Sequence, residues 1–134
     1  MAELIYVQEN GKLAFGDYTL AAKAKADGFE FGGDLYKVKT FQEITKLERN
    51  GMFVYESVPG TNVTDFSAND KELGFTVEGT TDTQVALGLE PETEFKLYID
   101  GTNIGKMKTN LGGKLVCSLQ LAAGRNSEVR VVKQ

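Results

Sequence analysis

The chain of 134 residues has no histidine, no tryptophan and a single cysteine. Without an imidazole there is no Ser-His-Asp triad, no Cys-His pair, and no zinc, copper or non-haem iron site that depends on histidine. One thiol also excludes an intramolecular disulfide and metal sites built from several thiolates of one chain. Cys117 alternates with Leu115 and Leu119, which predicts a small core residue rather than a reactive thiol. We therefore expect no catalytic residue, no metal site and no cofactor.

The chain also lacks a large excess of either charge and has no long apolar run. Lysine and arginine total 15 against 19 aspartates and glutamates, which gives a net charge of -4. This balance weakens nonspecific attraction to nucleic acid and anionic lipid, so no nucleic-acid partner is expected, although a local basic patch is compatible with it. No apolar stretch approaches the ~18 residues of a membrane span, and the first residues do not resemble a signal peptide. The sequence predicts a cytoplasmic protein without a membrane span.

Short alternating runs of apolar and polar residues dominate the chain, as in strands with one buried face. Phe95, Leu97 and Ile99 share one face of their run, and the run that contains Cys117 repeats the pattern. Strands are predicted at residues 4–9, 12–18, 35–40, 52–57, 61–67, 72–78, 83–89, 94–100, 103–109, 114–121 and 127–133. So many short strands with close turns predict a mainly β fold, an antiparallel two-sheet sandwich or jelly roll.

Turn dipeptides separate these runs. Asn10-Gly11, Asp100-Gly101 and Gly112-Gly113 predict hairpins, because glycine tolerates a positive φ. The segment after residues 69–70 is typical of a regular antiparallel meander, which indicates a soft subdivision there. We nevertheless expect residues 1–134 to form a single domain, since neither half alone is expected to bury enough apolar surface.

Two segments depart from the alternation and favour short helices. Residues 19–28 contain an alanine- and lysine-rich core of good helix formers. Residues 41–50 follow Thr40, which has capping-box spacing to Glu43. A β-hairpin with Asn50-Gly51 as its turn is the alternative interpretation of the second segment.

The run from Met52 to Tyr55 is apolar at every position, so both faces of this strand are suited to burial. One interpretation is a central strand that is covered on both sides. The other is that the face carrying Phe53 and Tyr55 is completed by a partner or by another copy of the chain. Phe53 and Tyr55 are therefore candidate residues of a ligand or partner surface.

Residues 27–34 form a second candidate surface, because glycines, phenylalanines and acids are mixed there. Phe29 and Phe31 are candidates for a ligand-binding lip. The acidic residues of the loop are Asp27, Glu30 and Asp34. Their spacing does not match an EF-hand, and a plain loop between two elements is the alternative interpretation.

Two stretches, GDLYKVKTFQEITKLERNGMFVYESVPG at residues 33–60 and GKMKTNLGGK at residues 105–114, carry a resemblance to a known family. The sequence resembles, over nearly its whole length, a family of small uncharacterised bacterial proteins that often carry the label endosialidase. That resemblance implies a carbohydrate-active module, either a glycan-binding domain or a small carboxylate-dependent glycosidase, and it brings no catalytic residues. Residues 94–121 are also similar to accessory β-sandwich modules of carbohydrate-active enzymes.

Three functional hypotheses follow. The leading one is a non-enzymatic β-sandwich that binds a protein or glycan partner, or assembles with itself into a homo-oligomer. The second is the carbohydrate-active module that the resemblance implies. The third is a structural component of a phage or a cell surface.

Overall fold

The computed structural model describes residues 3–134, and these form thirteen β-strands and no helix. The strands are β1 (Ile5–Val7), β2 (Leu13–Phe15), β3 (Ala24–Phe31), β4 (Asp34–Phe41), β5 (Ile44–Arg49), β6 (Met52–Val58), β7 (Asn62–Ala68), β8 (Glu72–Glu78), β9 (Thr83–Gly88), β10 (Glu94–Ile99), β11 (Thr102–Lys108), β12 (Lys114–Leu119) and β13 (Asn126–Lys133). Every segment for which alternation predicts a strand contains one. Over this part of the chain, no helix has the length and hydrophobicity that a bilayer crossing requires.

The strands are arranged in two sheets that pack face to face. Sheet I has seven strands in the order β1-β2-β7-β8-β13-β10-β11, and sheet II has six in the order β12-β9-β6-β5-β4-β3. All of the strand pairs are antiparallel, and neither sheet closes into a barrel. The predicted mainly β, two-sheet sandwich is confirmed.

The inner faces of the sheets form a hydrophobic core. Aromatic rings join the two layers: Tyr55 of sheet II packs edge-on against Phe15 and Phe75 of sheet I, with both pairs of ring centres 5.3 Å apart. Along most strands, buried residues alternate with exposed or half-buried ones, as the pleat of a strand requires. The residues between them form the two outer faces of the sandwich.

Two of the three predicted hairpin turns are correct. Asn10-Gly11 joins β1 to β2, and Asp100-Gly101 joins β10 to β11. Both residues of the second turn have positive φ, 52° and 81°, which suits the twist of the paired strands. The prediction for Gly112-Gly113 is wrong, because β11 lies in sheet I whereas β12 lies in sheet II.

The helix predicted at residues 19–28 does not form. Residues 24–31 are β3, the edge strand of sheet II, in which Ala24 is paired with Thr40 and Ala26 with Val38. A bulge between Ala26 and Phe29 absorbs the extra residues of this strand. Helix propensity differs by only about 0.7 kcal/mol between ordinary residues, so the pairing with β4 outweighs it here.

The helix predicted at residues 41–50 is also absent, and the hairpin alternative is correct. The hydroxyl of Thr40 lies 2.8 Å from that of Thr45 across the β4–β5 pair, where it does not cap a helix. Asn50-Gly51 forms the turn from β5 to β6, with φ values of 53° and 82°. Thr45 and Leu47 face the core as part of a strand.

The segment after residues 69–70 is not a regular meander, because β9 and β12 lie in sheet II whereas β8, β10, β11 and β13 lie in sheet I. The proposed subdivision coincides with the turn from β7 to β8. Strands from the two sides of this point pair with each other in both sheets, β7 with β8 and β6 with β9. The two parts of the sequence are therefore interleaved in the fold.

Candidate functional site

A network of hydroxyl groups lies buried between the sheets. The hydroxyl of Thr61 is 2.7 Å from both the Tyr55 phenol and the Ser57 hydroxyl. The Thr45 hydroxyl donates to the carbonyl oxygen of Thr61 at 2.8 Å and contacts the Thr40 hydroxyl at the same distance. Burial raises the pKa of Tyr55, so its phenol stays protonated. The network links three strands of sheet II to the connection between β6 and β7, and it contains no activated nucleophile.

Cys117 is buried in the core, as the sequence predicts. Its position on β12 is paired with Val85 of β9, and both face sheet I. Burial raises the pKa of the Cys117 thiol to about 11. Because the thiolate is the reactive form, this cysteine is inert at neutral pH.

The four aromatic candidates do not converge on one surface. Tyr55 is fully buried and belongs to the core, whereas Phe53 is half-buried on the same strand. β6 is flanked by β5 and β9, which agrees with the interpretation of this strand as central. Phe29 and Phe31 of β3 are half-buried and pack against the core, where the Phe31 ring lies 6.2 Å from that of Tyr36.

The acidic candidates have separate structural partners. Asp27 accepts a hydrogen bond from the amide of Gly28, the next residue in the bulge. Asp34 accepts one from the Asn50 side chain at 2.8 Å and so supports the β5–β6 turn. Glu30 is paired with Leu35 on the outer face of sheet II. Over residues 3–134, no three groups of the kinds that bind metals come together.

A row of lysines crosses the outer face of sheet II. Lys25 of β3 is paired with Lys39 of β4, and Lys39 is paired in turn with Lys46 of β5. Directly paired residues of antiparallel strands project from the same face of a sheet. Strands lie about 4.8 Å apart, so these three residues, the lysine row, span about 10 Å.

Carboxylates lie directly opposite Lys46 and Lys37, but none lies directly opposite Lys39. Lys39 has a lysine on each side across the strands and Lys37 two residues before it on the same face. Glu56 is paired with Lys46 and Glu48 with Lys37, but in the described part of the chain the ion pairs lie elsewhere. Like charges placed directly opposite each other destabilise a sheet by roughly 0.2–1 kcal/mol per pair.

The outer face of sheet I also has a directly paired lysine pair, Lys96 with Lys106, but its arginine is matched by other groups. Arg130 of β13 contacts the Glu72 carboxylate at 3.4 Å. The same guanidinium lies 4.6 Å from the ring centre of Tyr98, its direct neighbour on β10. This cation is thus matched by both an anion and an aromatic face.

A cleft of about 730 Å³ opens at one end of the sandwich, where the β5–β6 and β7–β8 turns meet the β9–β10 connection. Leu73 and Phe95 form part of its apolar floor, and Met52 is 74 % exposed at its rim. Charged residues of both signs line the rim, among them Arg49 and Glu72. This mixture points to no particular class of ligand.

No protein-family model, curated protein or solved structure matches the chain. The resemblance to the endosialidase-labelled family therefore stays a prediction. The sequence alone does not identify the lysine row, because the row depends on the register of three strands. The composition of residues 23–46, with lysines at positions 23, 25, 37, 39 and 46, was the available signal.

Proposed function

We propose that the protein is a non-enzymatic binding domain that holds an acidic polysaccharide against the lysine row. The observation that supports the proposal is the direct pairing of three lysines across three strands, with Lys39 at the centre and no carboxylate directly opposite it. Such a row costs stability in the free protein. A carboxylated chain lying across the strands removes that cost, because its anions alternate with the ammonium groups.

The chemistry of the other polar groups supports binding rather than catalysis. The buried hydroxyls satisfy one another, and the Cys117 thiol is protonated at neutral pH. The sequence contains no histidine that a proton transfer near pH 7 would use.

Edge-to-edge self-assembly is less well supported than binding of a partner. The edge strand β11 carries Lys106 and Lys108, and its pairing with β10 contains a bulge. The edge strand β3 also contains a bulge, and β1 has only three residues. Charged residues, bulges and short length are the features by which sheet edges avoid pairing with one another.

A polysaccharide fits the lysine row better than a nucleic acid does. Proteins that bind single-stranded nucleic acid combine basic residues with exposed aromatic rings on which bases stack. The aromatic residues beside the row, Phe41 and Phe53, are half-buried.

Titration with polysialic acid and with polygalacturonic acid at low ionic strength tests the proposal. We expect Lys39→Glu to weaken binding about tenfold, a loss of roughly 1.4 kcal/mol. Lys106→Glu on sheet I is the matched control, because it changes the net charge equally and leaves the lysine row intact. Binding of the wild-type protein should also weaken with added salt, since the row is exposed to screening.

Three results would contradict the proposal. The first is the absence of binding to both polysaccharides, and the second is equal weakening by Lys39→Glu and Lys106→Glu. The third is tighter binding to a single-stranded oligonucleotide than to either polysaccharide. If the protein releases shorter saccharides from polysialic acid, it is the glycosidase that the resemblance implies and not a binding domain.

A further inference from the structure

A groove on the outer face of sheet I lies on the opposite side of the sandwich from the lysine row. Its volume is about 250 Å³, and β1, β2, β7, β8 and β13 contribute residues to it. We call it the tyrosine groove. It is lined by the aromatic ring of Tyr6 and by the polar side chains of Asn62, Thr64, Thr76, Glu78 and Asn126. This volume is slightly below the 300–1,000 Å³ that is typical of pockets for drug-sized ligands, so it suits a single small ring.

Strand register brings the polar groups of the tyrosine groove together. Asn62 of β7 is paired with Glu78 of β8, and Glu78 is paired with Asn126 of β13. Thr64 and Thr76 form the adjacent pair on the same face. Two amides, two hydroxyls and one carboxylate therefore lie within a small area, and together they both donate and accept hydrogen bonds.

Contacts with the β2–β3 connection fix the orientation of two of these groups. The Asn62 side-chain oxygen accepts a hydrogen bond from the Tyr18 amide at 3.0 Å, which leaves the amide nitrogen of Asn62 to donate. Burial and the charge of Glu78 raise the pKa of Tyr18, so a protonated phenol lies beside that carboxylate. The site is organised before a ligand arrives, which lowers the entropic cost of binding.

Tyr6 borders the groove with an exposed aromatic ring. It lies on the edge strand β1, where it is 42 % exposed. Its direct partner across the strands is Ala14, which is buried. An aromatic ring next to hydroxyl- and amide-bearing side chains matches a pyranose, which has an apolar face and a rim of hydroxyls.

We infer that the tyrosine groove binds one pyranose unit of a neutral sugar. No lysine or arginine lines the groove, and its one charged side chain is Glu78, so an anionic sugar is repelled. The ligand class thus differs from the acidic chain proposed for sheet II. The inference stands or falls independently, because the two surfaces share no residue.

NMR titration of the full-length, isotope-labelled protein with methyl glycosides of glucose, galactose and mannose tests this inference. We expect at least one glycoside to shift the signals of Tyr6, Asn62 and Asn126 with millimolar affinity, and glucuronate and N-acetylneuraminic acid to leave them unchanged. Tyr6→Ala should weaken binding about tenfold. Tyr98→Ala, an aromatic truncation elsewhere on the same face, should leave the affinity unaltered.

Asn126→Ala provides a second variant in case Tyr6→Ala disturbs β1, because Asn126 is exposed. It should also weaken binding while the remaining spectrum keeps the wild-type dispersion. The inference is overturned if none of the three glycosides shifts these signals. It is equally overturned if glucuronate binds as well as the glucoside, or if a primary amine such as ethanolamine binds more tightly than either.

Discussion

Two cations on the outer faces of the sandwich, Arg130 of sheet I and Lys39 of sheet II, lie in different surroundings. On sheet I, Arg130 contacts a carboxylate and lies over the ring of Tyr98. On sheet II, Lys39 is enclosed by other lysines and lies outside ion-pair distance of the described carboxylates. The same strand geometry produces both arrangements, so the difference comes from the choice of side chains. Sheet I carries one directly paired lysine pair, Lys96 with Lys106, whereas sheet II carries a row of three.

The largest change should come from the layer that both faces share. Thr61→Val removes the hydroxyl that contacts Tyr55 and Ser57 and leaves two buried hydroxyls unpaired. We expect the free energy of unfolding to fall by roughly 2–4 kcal/mol in urea denaturation. Thr64→Val, the same substitution on the half-buried outer face, should change it by less than about 0.5 kcal/mol. Equal effects at the two positions would show that the buried network contributes no more stability than a half-buried hydroxyl on the outer face.

Alkaline pH should lower the free energy of unfolding through Cys117, which lies in the core and belongs to neither outer face. The pKa of Cys117 is raised to about 11 from an ordinary value of 9.0, so the folded state retains the proton longer than the unfolded state. The resulting stability is complete below pH 9 and is lost as the pH rises through 11. By pH 11 we expect a loss of about 2 kcal/mol from this thiol.

Denaturation of Cys117→Ala over the same pH range isolates the contribution of the thiol. The difference in stability between wild type and variant should change between pH 9 and 11 and stay constant below it. A difference that is independent of pH over this range contradicts the assignment. The buried Tyr55 adds a slope of the same sign, which cancels except for the small part of its raised pKa that the charge of Cys117 causes.

Lys39→Glu should break the contrast between the faces and raise stability. The substitution turns two like-charge pairs into two opposite-charge pairs with Lys25 and Lys46. We expect a gain of about 1 kcal/mol at low ionic strength, which shrinks in high salt. A variant that is more stable yet binds acidic polysaccharide less well is the signature of a surface selected for binding. A loss of stability at low salt would show that the row does not repel itself.

Arg130→Ala should give the smallest effect and sharpen the contrast. It removes an exposed ion pair and a cation–π contact, so the expected loss is about 0.5–1 kcal/mol. Lys106→Ala, on β11 of the same face, is the control; it removes a like-charge pair with Lys96 and should not lower stability. Chemical denaturation of both variants measures the difference. A gain in stability for Arg130→Ala would remove the distinction between the two faces.

The strands and the sandwich are predictable from sequence because alternation is a local signal. The run around Phe95 and the run around Cys117 each show one buried face over a few residues. The two predicted helices fail for the opposite reason. Ala24 and Ala26 have high helix propensity, but their partners Thr40 and Val38 lie in another strand, and propensity does not include that pairing.

The candidate surfaces are harder to predict from the sequence, because each depends on which strands become neighbours. Lys25 and Lys46 are both in segments predicted as helical, so their alignment with Lys39 has no counterpart in the sequence pattern. The tyrosine groove depends on β13 pairing with β8 across a long separation along the chain. Tyr55, a candidate residue of a ligand or partner surface, lies in the core instead.

The position of β13 has a consequence for how the protein is made. It lies between β8 and β10, and it is the last strand of the described chain to leave the ribosome. Until it arrives, the β10–β11 hairpin has no partner in sheet I, and both β8 and β10 present open edges. Translation that stops before residue 126 would therefore release a chain in which two strand edges are unpaired. Quality-control proteins recognise such edges, and strands of neighbouring chains can pair with them.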